Sequence, residues 1–94
     1  MIKTFKCKHT KQIFDGKYQK KFSQAVNKIG KRKLDMLEAS FDFEDLRVPP
    51  SNNFEFLKAN LDSFCSIRIN KQFRLIFRFE NSNAYDVYID DYHK

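Results

Sequence analysis

The sequence predicts an α+β domain: an N-terminal strand and helices, then a three-stranded antiparallel meander. The parts form one sheet with helices packed on one face. Two changes of period carry this reading. Up to about residue 40, apolar residues recur at spacings near three and four, the repeat of one helix face. Beyond Pro49-Pro50 they recur at every second position, the repeat of a strand half-buried on a core. A length of 94 residues fits one domain, residues 1–94, with eleven Phe and four Tyr supplying much of a modest core.

"IKTFKC" alternates Ile2, Thr4 and Lys6 against Lys3, Phe5 and Cys7, and reads as a first strand. "TKQIFDG" is a brief helical turn closed by Gly16. Phe22, Val26, Ile29, Leu34 and Leu37 then line one face of a helix over about 20–40. Gly30 weakens it by up to about 1 kcal/mol relative to Ala, so a bend there is expected. "FEDL" suggests a second short helix, and "VPPSNN" a connection. Cys65, Ile67 and Ile69 point to one side of the next strand, and Ser66, Arg68 and Asn70 to the other. After "NKQ", Phe73, Leu75, Phe77 and Phe79 share one face, with Arg74 and Arg78 on the opposite one. After "NSN", strict alternation groups Tyr85, Val87, Ile89, Asp91 and His93 on the expected core side of the last strand.

Charge is unevenly distributed. Residues 1–33 hold eleven Lys and Arg against a single acid, Asp15, within a chain of formal charge +6. Such asymmetry suits a polyanionic partner, although a solvated face reads the same way. Two Cys do not make a disulfide framework. The start lacks the apolar run of a signal peptide, and no run approaches the roughly 20 residues of a membrane span. A reducing, cytoplasmic setting without membrane partners is the expectation.

The register of the first hairpin follows from its apolar face. Ile69 and Phe73 must share a side, because a slip of one residue would expose every large apolar group. The loop is then Asn70–Gln72, and Arg68 lies opposite Arg74 on the face away from the core. Like charges directly opposite are destabilising. A bound anion would offset that cost, and guanidinium forks suit phosphate. Splaying of the arginines toward Glu80 or Asp86 would relieve it equally well.

The segment "PPSNNFEFLKANLDSFCSIRINKQFRLIFRFENSNAYDVYIDDYHK" resembles the C-terminal half of HigB-type toxins of the RelE-like superfamily. Their pattern runs PPGN, LKGD, SIRIN-x-Q-x-R and AYDVEI-x-DYH. Matching positions are Pro49-Pro50, Asn52 or Asn53, Glu55, Leu57-Lys58, Ser66 to Asn70, Gln72, Arg74, Phe77, Ala84 to Val87, Ile89 and Asp91-Tyr92-His93. "MIKTFKCKHTKQIF" matches the family start more loosely. Departures are Ala59-Asn60 for the family's Gly-Asp, Phe79 for its Trp and Tyr88 for its Glu. Ala does not take a positive φ as Gly does, so the turn carrying Lys58 is expected to differ.

The resemblance implies the toxin of a type II toxin–antitoxin pair that cleaves mRNA in the ribosomal A site, without metal or cofactor. Its partners would be mRNA, the ribosome with its rRNA, and a helix-turn-helix antitoxin of the HigA type. Such cleavage needs a base for the ribose 2′-OH, cations on the phosphorane and an acid for the departing 5′-oxygen. His93 is the candidate for proton transfer, since imidazole titrates near neutral pH. Asp91 would orient it, and Tyr92 would bond a phosphate or stack on a base. Lys58 would place charge on the phosphorane or act as base, and Arg74 would hold the scissile phosphate. Arg68, Glu55, Lys71 and Arg78 complete the set as RNA contacts. For these to converge, the last strand is expected to end or bulge near Asp90, turning Asp91-Tyr92-His93 toward Arg74 and Lys58.

Two other readings compete. Cys7, His9, Cys65 and His93 are metal-ligand types, but their spacing matches no standard zinc pattern. A RelE-like fold also serves as a non-catalytic module on a protein target such as gyrase, or as an RNA-binding module without cleavage, because fold does not fix function.

Overall fold

The computed structural model describes residues 1–57 and 63–91. Helices α1 (Lys8–Phe14), α2 (Gln24–Ala39) and α3 (Phe43–Arg47) come first. A 3-10 turn (Pro50–Asn52) then leads into strands β1 (Glu55–Phe56), β2 (Phe64–Arg68), β3 (Phe73–Glu80) and β4 (Asn83–Asp91). The strands form one antiparallel sheet in the order β1-β2-β3-β4. The expected class and the three-stranded meander are both present.

The fourth strand is not the one the sequence suggested. Glu55–Phe56 takes that place, pairing with Ser66 and Cys65. The N-terminal segment instead runs parallel to β4 and touches it in two isolated bridges, Ile2 with Ala84 and Phe5 with Val87. A regular ladder fails between them because β4 bulges. Ile76 pairs with Tyr88 and Arg78 with Tyr85, so Asp86 and Val87 together oppose Phe77. Asp86 takes the left-handed conformation, φ 55°, and its N–H donates to Thr4 Oγ1 at 2.8 Å. The bulge also corrects the alternation: Tyr85 lies on the arginine face beside Arg78, while Val87 and Ile89 face the core.

The two longer-range starts of helix are set by side chains that satisfy free N–H groups. Ser23 Oγ accepts from Val26 N at 3.1 Å, so α2 begins at Gln24 rather than Lys20. The Asn27 carboxamide folds the preceding loop against it, donating to the carbonyls of Gln19, Phe22 and Ser23. Asp42 and Asp45 form a reciprocal capping box on α3. At the turn between β3 and β4, Asn81 and Ser82 both have positive φ, the two-residue geometry that matches strand twist.

The core lies between the helices and one sheet face. Ile13, Val26, Leu34, Leu37 and Leu46 meet Cys65, Ile67, Leu75, Phe77, Val87 and Ile89. Gly30 brings α2 close to the sheet: a Cβ there would sit 3.3 Å from Ile89 Cδ1 and 3.9 Å from Ile69 Cδ1. The glycine that weakens the helix is therefore a point of close approach.

The two thiols differ in surroundings. Burial pushes Cys65 up to about 12. At Cys7 burial acts in the same sense, but N–H groups of Thr10 and His9, the Thr10 hydroxyl and nearby Lys21 outweigh it and hold the thiol below its usual value. Thiolate is the reactive form. Iodoacetamide at pH 8 should therefore label Cys7 and spare Cys65 until urea unfolds the chain, as read by peptide mass spectrometry. Gly30→Val should cost about 1–3 kcal/mol by overpacking. An unchanged urea midpoint would contradict the close approach of α2.

Candidate functional site

Across the sheet from the helices, the first hairpin sets the site. Ile69 N donates to Phe73 O at 3.0 Å, and Asn70 Oδ1 accepts from Gln72 N at 2.8 Å and Phe73 N at 2.7 Å. This loop fixes the register read from the apolar pattern, with Arg68 directly opposite Arg74. Glu55 enters the same face from β1, opposite Ser66, and Asp90 enters from β4, opposite Arg74. Ser66 and Ile76 are fully buried on this side, so the face is more than solvated surface.

Arg74 is held from two directions. Its Nε donates to Ser66 Oγ at 2.8 Å, and its Nη2 donates to Asn53 O at 2.5 Å. Asn53 follows the 3-10 turn in the left-handed region, φ 45°. With its carboxamide nitrogen donating to Pro50 O, its oxygen accepts from Arg68 Nη1 at 3.3 Å. One residue thus ties both guanidiniums to the connection ahead of the sheet. That connection is anchored in turn. Lys33 Nζ, buried, donates to Asn52 Oδ1, and Asn52 Nδ2 donates to Leu46 O at 2.9 Å.

Not every expected residue joins this group. Arg78 makes the contacts to Glu80 and Asp86. It is ion-paired with Glu80 and with Asp86 at 3.5 Å, and stacks over Tyr85, 4.8 Å from the ring centre. Lys71 is exposed in the hairpin loop. The bulge in β4 falls at Asp86 rather than near Asp90, while the strand as described runs to Asp91, the end expected there. Asp90 is the carboxylate opposite Arg74, while Asp91 lies on the side that strict alternation gave it, pairing with Phe73 toward the helices and accepting from Gln72 Nε2 at 3.1 Å. Lys58, Tyr92 and His93 lie outside the described residues.

Sequence reasoning missed Asn53, Ser66 and Asp90. Ser66 was reachable: once Arg68 opposes Arg74, alternation puts Ser66 on the same side. Asn53 was one of two matches to the motif's Asn, but nothing pointed to its contact with Arg74, which is made by a main-chain carbonyl.

As for metal, Cys65 Sγ donates to Phe77 O at 3.6 Å, and His9 Nδ1 shares a hydrogen bond with Gln19 Oε1 at 2.8 Å. Among the described residues, no three His, Cys, Asp or Glu side chains gather as a metal-holding group. No helix among them is long and apolar enough to cross a membrane.

The family model for the RelE-like toxin of the type II toxin–antitoxin system HigB matches residues 3–93. The chain belongs to the HigB-like toxin family. Toxin HigB-1 of Vibrio cholerae serotype O1 is 41% identical over 91 residues, covering 96% of each chain. An uncharacterized protein of Haemophilus influenzae is 41% identical over 75 residues, 80% of this chain and 74% of that protein. A HigB-type toxin of a type II pair has an antitoxin as partner, and the α+β architecture found here is compatible with the RelE-like fold.

The facing arginines of the toxin generate a prediction. Arg68→Thr should gain stability relative to the parent as salt is lowered, by up to about 1 kcal/mol. The difference should shrink at 1 M salt, where charges are screened beyond about 3 Å. Urea midpoints at two ionic strengths check this, and a salt-independent difference would remove the repulsion argument.

Proposed function

We propose that the toxin is a metal-independent endoribonuclease that cuts mRNA in the ribosomal A site and so blocks translation. It would act in the cytoplasm, through one domain spanning residues 1–94, until a helix-turn-helix antitoxin of the HigA type neutralises it. Family membership supports the class of activity. The observation that carries the chemistry is Arg74, a guanidinium held in place by Ser66 and Asn53 with a second guanidinium across the ladder. Preorganised cations of this kind stabilise a charged transition state without reorganising at the moment of reaction.

In this reading the ribose 2′-oxygen attacks the adjacent phosphorus as a base removes its proton. The P–O5′ bond then breaks as an acid returns a proton to the leaving oxygen. The products are a 2′,3′-cyclic phosphate and a 5′-hydroxyl. Arg74 holds the non-bridging oxygens, and Lys58 adds charge to the phosphorane. His93 moves a proton, with Asp91 orienting it and Tyr92 bonding phosphate or stacking on a base. Arg68, Glu55 and Lys71 serve the flanking RNA. Arg78 serves it only by exchanging its contacts to Glu80 and Asp86 for phosphate, so it should matter least of the arginines.

Mapping mRNA 5′ ends in a translating extract tests the proposal. The wild type should create new 5′-hydroxyl ends on ribosome-bound message, and His93→Ala should lower their yield at least about 100-fold, the usual scale of lost proton transfer. No new ends with the wild type would end the nuclease reading. Equal cleavage by His93→Ala would overturn only its assigned role.

A further inference from the structure

Beside the Arg68–Arg74 pair, a cleft of about 330 Å³ opens between α2 and the β2–β3 loop. Arg32 and Lys33 reach it from α2, Arg68 from the end of β2 and Lys71 from the loop, with the carboxamides of Asn53 and Asn70 between them. Of the described residues that line it, none is acidic. Burial, together with the neighbouring Arg32 charge, holds the Lys33 ammonium below its ordinary value. Four cations around one concavity repel one another, and an anion seated there reverses the sign of that energy. The cleft is also continuous with the site. Asn53 forms part of its wall while its carbonyl accepts from Arg74.

We propose that this cleft binds a phosphodiester of the RNA strand that flanks the scissile one, gripped by Arg32, Arg68 and Lys71. The proposal rests on the nuclease reading above and adds to it a residue, Arg32, from the helix layer. RNA is favoured over an acidic protein segment for two reasons. The donors are the guanidinium forks of Arg32 and Arg68 with the Lys71 ammonium, which match phosphate oxygens. The cleft also continues the line of Arg74 and Arg68, as a groove that follows a single-stranded backbone does. The field of buried Lys33 adds to the attraction while Asn52 holds its ammonium in place.

A short fluorescent 2′-O-methyl RNA, which has no free 2′-hydroxyl to cleave, serves as the probe. Its affinity is measured by anisotropy across a salt series for the wild type, Arg32→Gln, Arg74→Gln and Lys17→Gln. Arg32 lies on the outer rim of the cleft, so its replacement leaves the fold intact, and exposed Lys17 gives the same charge change outside the cleft. For a single strand, removing the cation from one phosphate should lower the slope of log K against log salt by about 0.7. Arg32→Gln should show that drop, and Lys17→Gln should match the wild type. If Arg74→Gln lowers the slope while Arg32→Gln keeps it, the cleft proposal is overturned and the RNA reading of the face stands. If no variant changes the slope, both fall together. An equal drop with Lys17→Gln overturns the cleft in favour of general charge. Weakened antitoxin capture by Arg32→Gln, with an unchanged RNA slope, overturns it in favour of an acidic protein segment.

Discussion

The register of the β2–β3 hairpin is the constraint on which most of this molecule depends. A shift of one residue would turn Ile67, Ile69, Leu75 and Phe77 out of the core and carry Arg68 and Arg74 into it. Apolar burial sets the register, and the Asn70 carboxamide closes the loop that maintains it. The same choice that buries the apolar face therefore forces two guanidiniums together on the other. The unfavourable pair is a by-product that burial can sustain, since several buried side chains at about 1.5–3 kcal/mol each outweigh one repulsion between half-buried groups.

The second organising feature is the bulge at Asp86. It rotates the last strand so that Tyr85 joins the arginine face while Val87 and Ile89 stay against the helices. It also interrupts what would otherwise be a fifth strand. The N-terminal segment bonds β4 on either side of the bulge, through Lys3 N to Ala84 O at 2.8 Å and Lys6 N to Val87 O at 2.9 Å. This contact covers the outer edge of β4, which would otherwise offer free backbone groups to another chain.

The helix layer and the charged face communicate through a short polar chain. Lys33 on α2 holds Asn52, Asn52 holds the end of α3, and the next residue holds Arg74 and Arg68. A buried lysine is costly unless its ammonium finds a partner, and here Asn52 supplies one. The chain explains how a connection only a few residues long orients guanidiniums on the far side of the sheet.

By itself, the sequence determined the α+β class, the meander, the three helices and the opposition of Arg68 and Arg74. These follow from periodicity and burial, which are local and repeat along the chain. The motifs from Pro49 to His93 also identified the family. The tertiary structure alone decided that Glu55–Phe56 supplies the fourth strand and that the start of the chain makes only bridges. It also decided that Tyr85 stands beside Arg78 rather than on the core side. Strand partnering depends on which backbone groups remain free after folding, and the left-handed residue at Asp86 resets the facing that strict alternation assigned around it. The grip of Asn53 on Arg74 was illegible for a related reason. A main-chain carbonyl is present at every position, and only the path of the chain determines which one a guanidinium meets.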